Sequence, residues 1–233
     1  MAGVWGCPPD AISTPFLARK GVGGWSKRFS ITLLGHEPSQ KERAMKKIVS
    51  PLTEKAAREL KAGDQVSITG VIYVGRDAAH KRIVESLDKG EKPPFDIKGQ
   101  TVYYMGPSPA KPGQVIGSAG PTTSGRMDPY SPRLMEAGLR AMIGKGLRSK
   151  PVKEALKKHG AVYMAAIGGA GALIAKSIKR SEVVAYGELG AEAVLRLEVE
   201  GFPAIVINDA LGGDLYEQGK EEYQIPPELG CET

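Results

Sequence analysis

From Met45 onward the chain alternates runs of β-branched residues with segments of helical spacing, and this alternation constrains the fold more than any single motif. Residues 65–74 (QVSITGVIYV) read as a strand, and 76–87 place Ala79, Ile83, Val84 and Leu87 on one helical face. Thr53 is a helix N-cap for 54–61, and Ala62-Gly63-Asp64 ends that helix. Further strands are expected at 101–105, 114–116, 161–167, 183–186, 195–199 and 204–207, with helices at 152–158 and 171–178. Strands alternating with helices define an α/β domain. Some connections are too short for crossovers, so the sheet is expected to be mixed rather than purely parallel.

Residues 1–44 differ from the rest of the chain, with Pro-Pro, Gly-Val-Gly-Gly, two isolated tryptophans and basic pairs. Three readings stay open for them: a disordered arm, a targeting segment, or a translated stretch ahead of a start at Met45. The domain proper is placed at 45–222, with an acidic tail at 223–233, and the wider acidic stretch 214–233 is expected to be partly irregular. No run approaches the roughly 18 apolar residues needed to span a bilayer, so no membrane partner is expected. Cys7 and Cys231 lie at opposite ends without CxxC spacing, which argues against a disulfide framework and a self-contained metal site and fits a reducing cytoplasm. The net charge of +6 is unevenly spread, since residues 201–233 hold one lysine against seven acidic residues. Aromatics are few and not interleaved with the basic residues, so a nucleic-acid stacking platform is unsupported.

The segment 121–134 (PTTSGRMDPYSPRL) has no apolar periodicity at its start and a helix-start signature at its end. Asp128 reads as N-cap, Pro129 as the first helical residue, and Leu134 and Met135 open an apolar face. A polar loop feeding a helix N-terminus gathers N–H groups, hydroxyls and positive charge, which suits an anion, although plain connectors share this composition. Gly144-Lys145-Gly146 leaves an ammonium unobstructed, and Gly75-Arg76-Asp77-Ala78-Ala79-His80 stands at a strand-to-helix junction. An arginine there grips carboxylates bidentately, whereas the blander reading is a surface Arg76–Asp77 pair and a structural His80. The run Gly168-Gly169-Ala170-Gly171 before Lys176-Ser177 misses the glycine positions of a phosphate loop. Arg76, Arg126 and Lys145 together suit a small dianion such as a dicarboxylate, yet there is no metal set and no Cys–His or Ser–His–Asp arrangement. The chain reads as half an active site.

PTTSGRMDPYSPRL, followed by AMIGKG and later by VEGFPAIVIND and GGDLYEQG, resembles the β subunit of two-subunit class I fumarate hydratases. The same unit is similar to the C-terminal half of single-chain class I fumarases and, more distantly, to the β subunit of L-tartrate dehydratase. The resemblance implies a three-layer β/β/α swivelling domain docked on an α subunit, as a heterodimer or an α2β2 assembly. The α subunit's cysteines would hold a [4Fe–4S] cluster whose open iron assists departure of hydroxide, with no metal held by this chain. By the same resemblance Arg76 and Arg126 bind the substrate carboxylates, Lys145 adds a further charge contact to the substrate, and Thr122 is the base at C3 of malate. The function implied is reversible hydration of fumarate to L-malate in the cytoplasm. The alternatives are tartrate dehydration and, in another class, a non-catalytic anion- or nucleic-acid-binding module.

Overall fold

The computed structural model describes residues 44–224, so the expectations for residues 1–43 and 225–233 lie outside it. The chain runs β1 (Lys46–Ser50), α1 (Glu54–Glu59), β2 (Gln65–Val74), α2 (Asp77–Asp88) and β3 (Thr101–Tyr103). A 3₁₀ turn (Ser124–Met127), α3 (Ser131–Glu136), β4 (Ala141–Gly144), α4 (Lys150–His159) and β5 (Val162–Ala165) come next. Then come α5 (Gly171–Ala175), β6 (Ile178–Ala185), a second 3₁₀ segment (Gly187–Glu192), β7 (Val194–Asn208) and α6 (Leu215–Tyr223). Thr53 caps α1 as its sequence implies, its hydroxyl accepting from the Ala56 N–H at 3.2 Å.

The seven strands form one mixed sheet in the order β1-β2-β3-β4-β5-β7-β6, with β1 to β5 parallel and β7 antiparallel to its neighbours. β2 also pairs with β7, which closes the circuit β2-β3-β4-β5-β7. Both long strands change neighbours halfway: β2 passes from β1 to β3, and β7 from β6 to β5. The break falls at facing irregularities, where the register shifts between Ile68 and Gly70 opposite Phe202 and Val199. Gly70 has φ +119°, and a β-carbon there would collide with the Ser50 carbonyl oxygen. The alternation along each strand sorts the side chains into two cores. Ile68, Ile72, Tyr103, Ile143, Met164 and Val206 belong to one, inside the closed circuit. Val102, Tyr104, Met142, Tyr163 and Ile207 belong to the other, against Ile83, Leu134, Met135, Val152 and Leu156 of α2, α3 and α4. A sheet folded on itself and covered by one helical layer gives the three layers expected.

Three local expectations are corrected. Residues 114–116 form no strand, because prolines at 107, 109 and 112 break the segment and Ile116 enters the core from a loop. The strands expected at 195–199 and 204–207 are one strand, since Gly201 marks a bulge rather than a turn. Asp128 does not cap a helix: it closes the 3₁₀ turn, and α3 starts at Ser131 with a proline in its first positions. Within the acidic stretch, Leu215–Tyr223 form the regular helix α6, its start fixed by the Asp214 carboxylate, which accepts from the Tyr216 and Glu217 N–H groups at 2.9 and 3.3 Å; the residues beyond 224 lie outside the described ones. No helix of the described residues is long and apolar enough to cross a membrane.

Phe202 is fully buried and meets Tyr103 edge-on at 5.1 Å between ring centroids where β7 resumes after the bulge. Phe202→Ala is expected to lower the unfolding free energy by about 3–5 kcal/mol in urea denaturation, while Val183→Ala on the exposed face of β6 changes it by under about 0.5 kcal/mol.

Candidate functional site

β2, β3, β4 and β5 are parallel neighbours, so their carboxyl ends emerge side by side. Loops and helix N-termini collect at that end of an α/β sheet, which makes it the usual ligand-binding edge. Gly75 and Arg76 leave β2, Tyr104 leaves β3, and Lys145 and Gly146 leave β4. The 121–124 loop returns to the same place and lies between the ends of β3 and β4. There the Thr122 N–H donates to the Tyr104 carbonyl at 2.8 Å, and the Lys145 N–H donates to the Thr122 carbonyl at 3.2 Å. The Ser124 N–H donates in turn to the Lys145 carbonyl at 2.8 Å. Two strands that pair as far as Tyr103 and Ile143 thus part, and the loop satisfies the main-chain groups they expose.

This insertion explains the glycines around Lys145. A β-carbon on Gly144 would collide with the Ser124 hydroxyl, and Gly146 turns the chain away with φ +85°. Tyr163, on β5, ties the two segments together beneath: its phenol donates to the Gly146 carbonyl at 2.9 Å and lies 2.9 Å from the Ser124 hydroxyl. Burial pushes the Tyr163 phenol above its ordinary value, so it stays a donor. The later half of the loop rests on Arg148, whose side chain is fully buried. Its Nε donates to Asp128 Oδ1 at 2.7 Å and its Nη2 to Ser131 Oγ at 2.6 Å, while its guanidinium carbon stands 5.4 and 4.9 Å from the Tyr104 and Tyr163 rings. The other Asp128 oxygen accepts from the Ser149 N–H at 2.7 Å, ahead of α4.

The four residues singled out in the sequence come to this one end of the sheet. Thr122 is half-buried, with its main chain fixed and its hydroxyl in no hydrogen bond among the described residues. Arg126 is half exposed, and Arg76 is mostly buried against Gly106. The Arg76–Asp77 surface pair of the blander reading is not formed. Asp77 instead meets Arg126 twice, with Nε–Oδ1 at 3.0 Å and Nη2–Oδ2 at 2.9 Å. Arg76 Nη2 lies 3.3 Å from Glu192 Oε1, and Glu192 Oε2 accepts from the Ala78 N–H at 3.1 Å. Of the three expected cations, only Lys145 has no ion-pair partner among the described residues, so the local balance is nearer one positive charge than three.

His80 is buried between Tyr104 and Tyr130, and its Nδ1–H donates to the Arg76 carbonyl at 2.8 Å. Nε2 has no partner, and burial, helped by the Arg148 charge, lowers the imidazole to about 4. The ring is therefore neutral and braces the turn that carries Arg76. Arg148, Asp128, Tyr163, Ser124 and Glu192 were not singled out as site residues in the sequence. Polar type alone does not mark a buried arginine, although the position of Arg148 three residues after Lys145 was a usable hint.

Between about pH 4 and 6.5 His80 is neutral when folded and protonated when unfolded, so unfolding takes up a proton and stability falls as pH drops through that window. The loss attributable to His80 is about 3 kcal/mol at the acid end. Urea titrations at pH 7 and pH 4.5 are expected to show a smaller difference for His80→Asn, which keeps the donor to Arg76, than for the unaltered chain. Arg148→Met strands Asp128 and is expected to cost about 3–5 kcal/mol, with part recovered in the double variant Arg148→Met/Asp128→Asn.

The family model described as "Fumarase C-terminus" matches residues 27–219, starting ahead of the boundary drawn at Met45. The aerobic class I fumarate hydratase of Salmonella typhimurium is 47% identical over 156 residues, covering 66% of this chain and 27% of that protein. The aerobic class I enzyme of Escherichia coli is 43% identical over 178 residues, covering 76% and 32%. The chain thus spans about a third or less of these fumarate hydratases. A protein of Methanocaldococcus jannaschii named "Putative L(+)-tartrate dehydratase subunit beta" is 41% identical over 185 residues, which cover 76% of this chain and 95% of that protein. With a family model over most of its length and relatives of this similarity, the chain belongs to the fumarase C-terminus family.

Proposed function

We propose that this chain is the β subunit of a two-subunit hydro-lyase that reversibly hydrates fumarate to L-malate in the cytoplasm, its site completed by an α subunit. The observation that carries the reading is the meeting of Thr122, Arg126, Arg76 and Lys145 at one sheet end in a chain of this family. Dehydrating malate removes a weakly acidic proton beside a carboxylate, and negative charge builds on that carboxylate as the proton leaves. Guanidinium and ammonium groups fixed in advance stabilise that charge, and more strongly once a partner excludes water. Arg76 and Arg126 are assigned to the substrate carboxylates, with Lys145 as the further, unpaired charge. Thr122 Oγ1 is assigned as the group that takes the C3 proton, acting as an alkoxide stabilised by the neighbouring cations and regaining its own proton in the step, and its fixed main chain sets where the side chain departs.

The described residues hold no group of three His, Cys, Asp or Glu side chains able to ligate a metal. They do not fit a [4Fe–4S] cluster, which in this reading belongs to the α subunit. A second reading, tartrate dehydratase β subunit, is favoured by one observation: the match covers 95% of a relative that carries that name. Both substrates are small dicarboxylates. Anaerobic assay of the reconstituted αβ complex with L-malate and L-tartrate separates the two, and turnover of malate is the expected result.

Thr122→Ala is expected to lower kcat with L-malate by at least about 100-fold while subunit assembly, followed by gel filtration, is unchanged. A near-normal kcat overturns the assignment of Thr122.

A further inference from the structure

Among the substrate-facing cations Arg126 is the most poorly anchored by packing, because about half of its side chain is exposed and it leaves a short 3₁₀ turn. An arginine in that setting samples several rotamers unless something fixes its plane. Asp77 does so, accepting the Nε–H hydrogen bond at Oδ1 (3.0 Å) and holding Oδ2 2.9 Å from Nη2 as an ion-pair contact that is not aligned as a hydrogen bond. It engages the Nε and Nη2 side of the guanidinium, so the Nη1 end stays available to a ligand. Asp77 is itself held in place as the first residue of α2, directly after Arg76 and one residue before the N–H that Glu192 fixes. One helix start therefore sets the position of both arginines.

We infer that Asp77 is a positioning residue for the reaction, acting through Arg126 and not on the substrate. This rests on the hydro-lyase reading. Its sign distinguishes it from a plain charge effect. Removing a carboxylate beside an anion site improves anion binding by charge alone, lowering KM for a dicarboxylate. Removing a clamp misplaces a transition-state contact and lowers kcat. A role confined to the α2 N-terminus shifts only thermal stability.

The test uses the reconstituted αβ complex with L-malate and L-tartrate, comparing Asp77→Ala, Asp77→Asn, Arg126→Ala and Asp77→Ala/Arg126→Ala, with melting temperature as the check on folding. Asp77→Ala is expected to lower kcat/KM about 10- to 100-fold, chiefly through kcat. Asp77→Asn, which keeps an acceptor, is expected to recover part of that loss. In the Arg126→Ala background the Asp77→Ala change is expected to cost no more than about twofold, because its route of action is already gone. Losses that multiply in the double variant, or a kcat/KM that rises in Asp77→Ala, overturn the inference while leaving the hydro-lyase reading intact. An unaltered complex that turns over neither substrate overturns that reading, and the role of Asp77 with it. Should Asp77→Ala not fold, Asp77→Asn carries the same cycle: equal losses with and without Arg126 overturn the inference, and a loss seen only with Arg126 present supports it.

Discussion

The parting of β3 and β4 is the constraint on which the rest of this structure depends. Two parallel strands cannot separate without exposing main-chain donors and acceptors, and here the TTS segment of the loop meets them with three hydrogen bonds to Tyr104 and Lys145. That requirement fixes the loop's path to within a hydrogen bond's tolerance. It forces glycine at 144, where the Ser124 hydroxyl sits, and it places the buried Tyr163 phenol as a tie between both segments. A threonine presented this way is rigid at its main chain although it belongs to a loop. Arg148 performs the same service for the second half of the loop, with aromatic rings and Asp128 replacing the water it has lost.

The electrostatic design differs from a bare cluster of cations. Each arginine arrives with its own carboxylate, Glu192 for Arg76 and Asp77 for Arg126, and each carboxylate is fixed at or beside the start of α2. Such pairing sacrifices raw attraction for geometry. Under the hydro-lyase reading proposed above, neutralising a dianion would then need Lys145 and further charge beyond these two pairs.

Much of this was legible in the sequence where a local signal and the tertiary environment agree. The β2 strand, the Thr53 cap and the α/β alternation come from periodicity and capping chemistry; Arg76, Arg126 and Lys145 come from their loop motifs, and Thr122 from the family resemblance. Where global packing overrides the local signal, the sequence misleads. Gly201 has the composition of a turn but sits in a bulge, because a strand that must change neighbours needs a bend without an end. Asp128 has the composition of a helix cap but commits its carboxylate to a buried arginine, and no pattern in one sequence reveals such a distant partner. The same holds for Glu192, whose contact with Arg76 spans half of the chain.

The closed circuit of strands has a consequence for assembly. Every strand on it has a hydrogen-bonded neighbour on both sides, and among the described residues only β1 and β6 offer a free main-chain edge. Sheet extension by another polypeptide is thereby limited to those two strands. The carboxyl ends of β2 to β5, where the candidate site lies, offer a companion protein only side chains and loop backbone. Recognition there has to proceed by fit of surfaces, so a docked companion is free to withdraw or shift without unzipping a single ladder of the sheet.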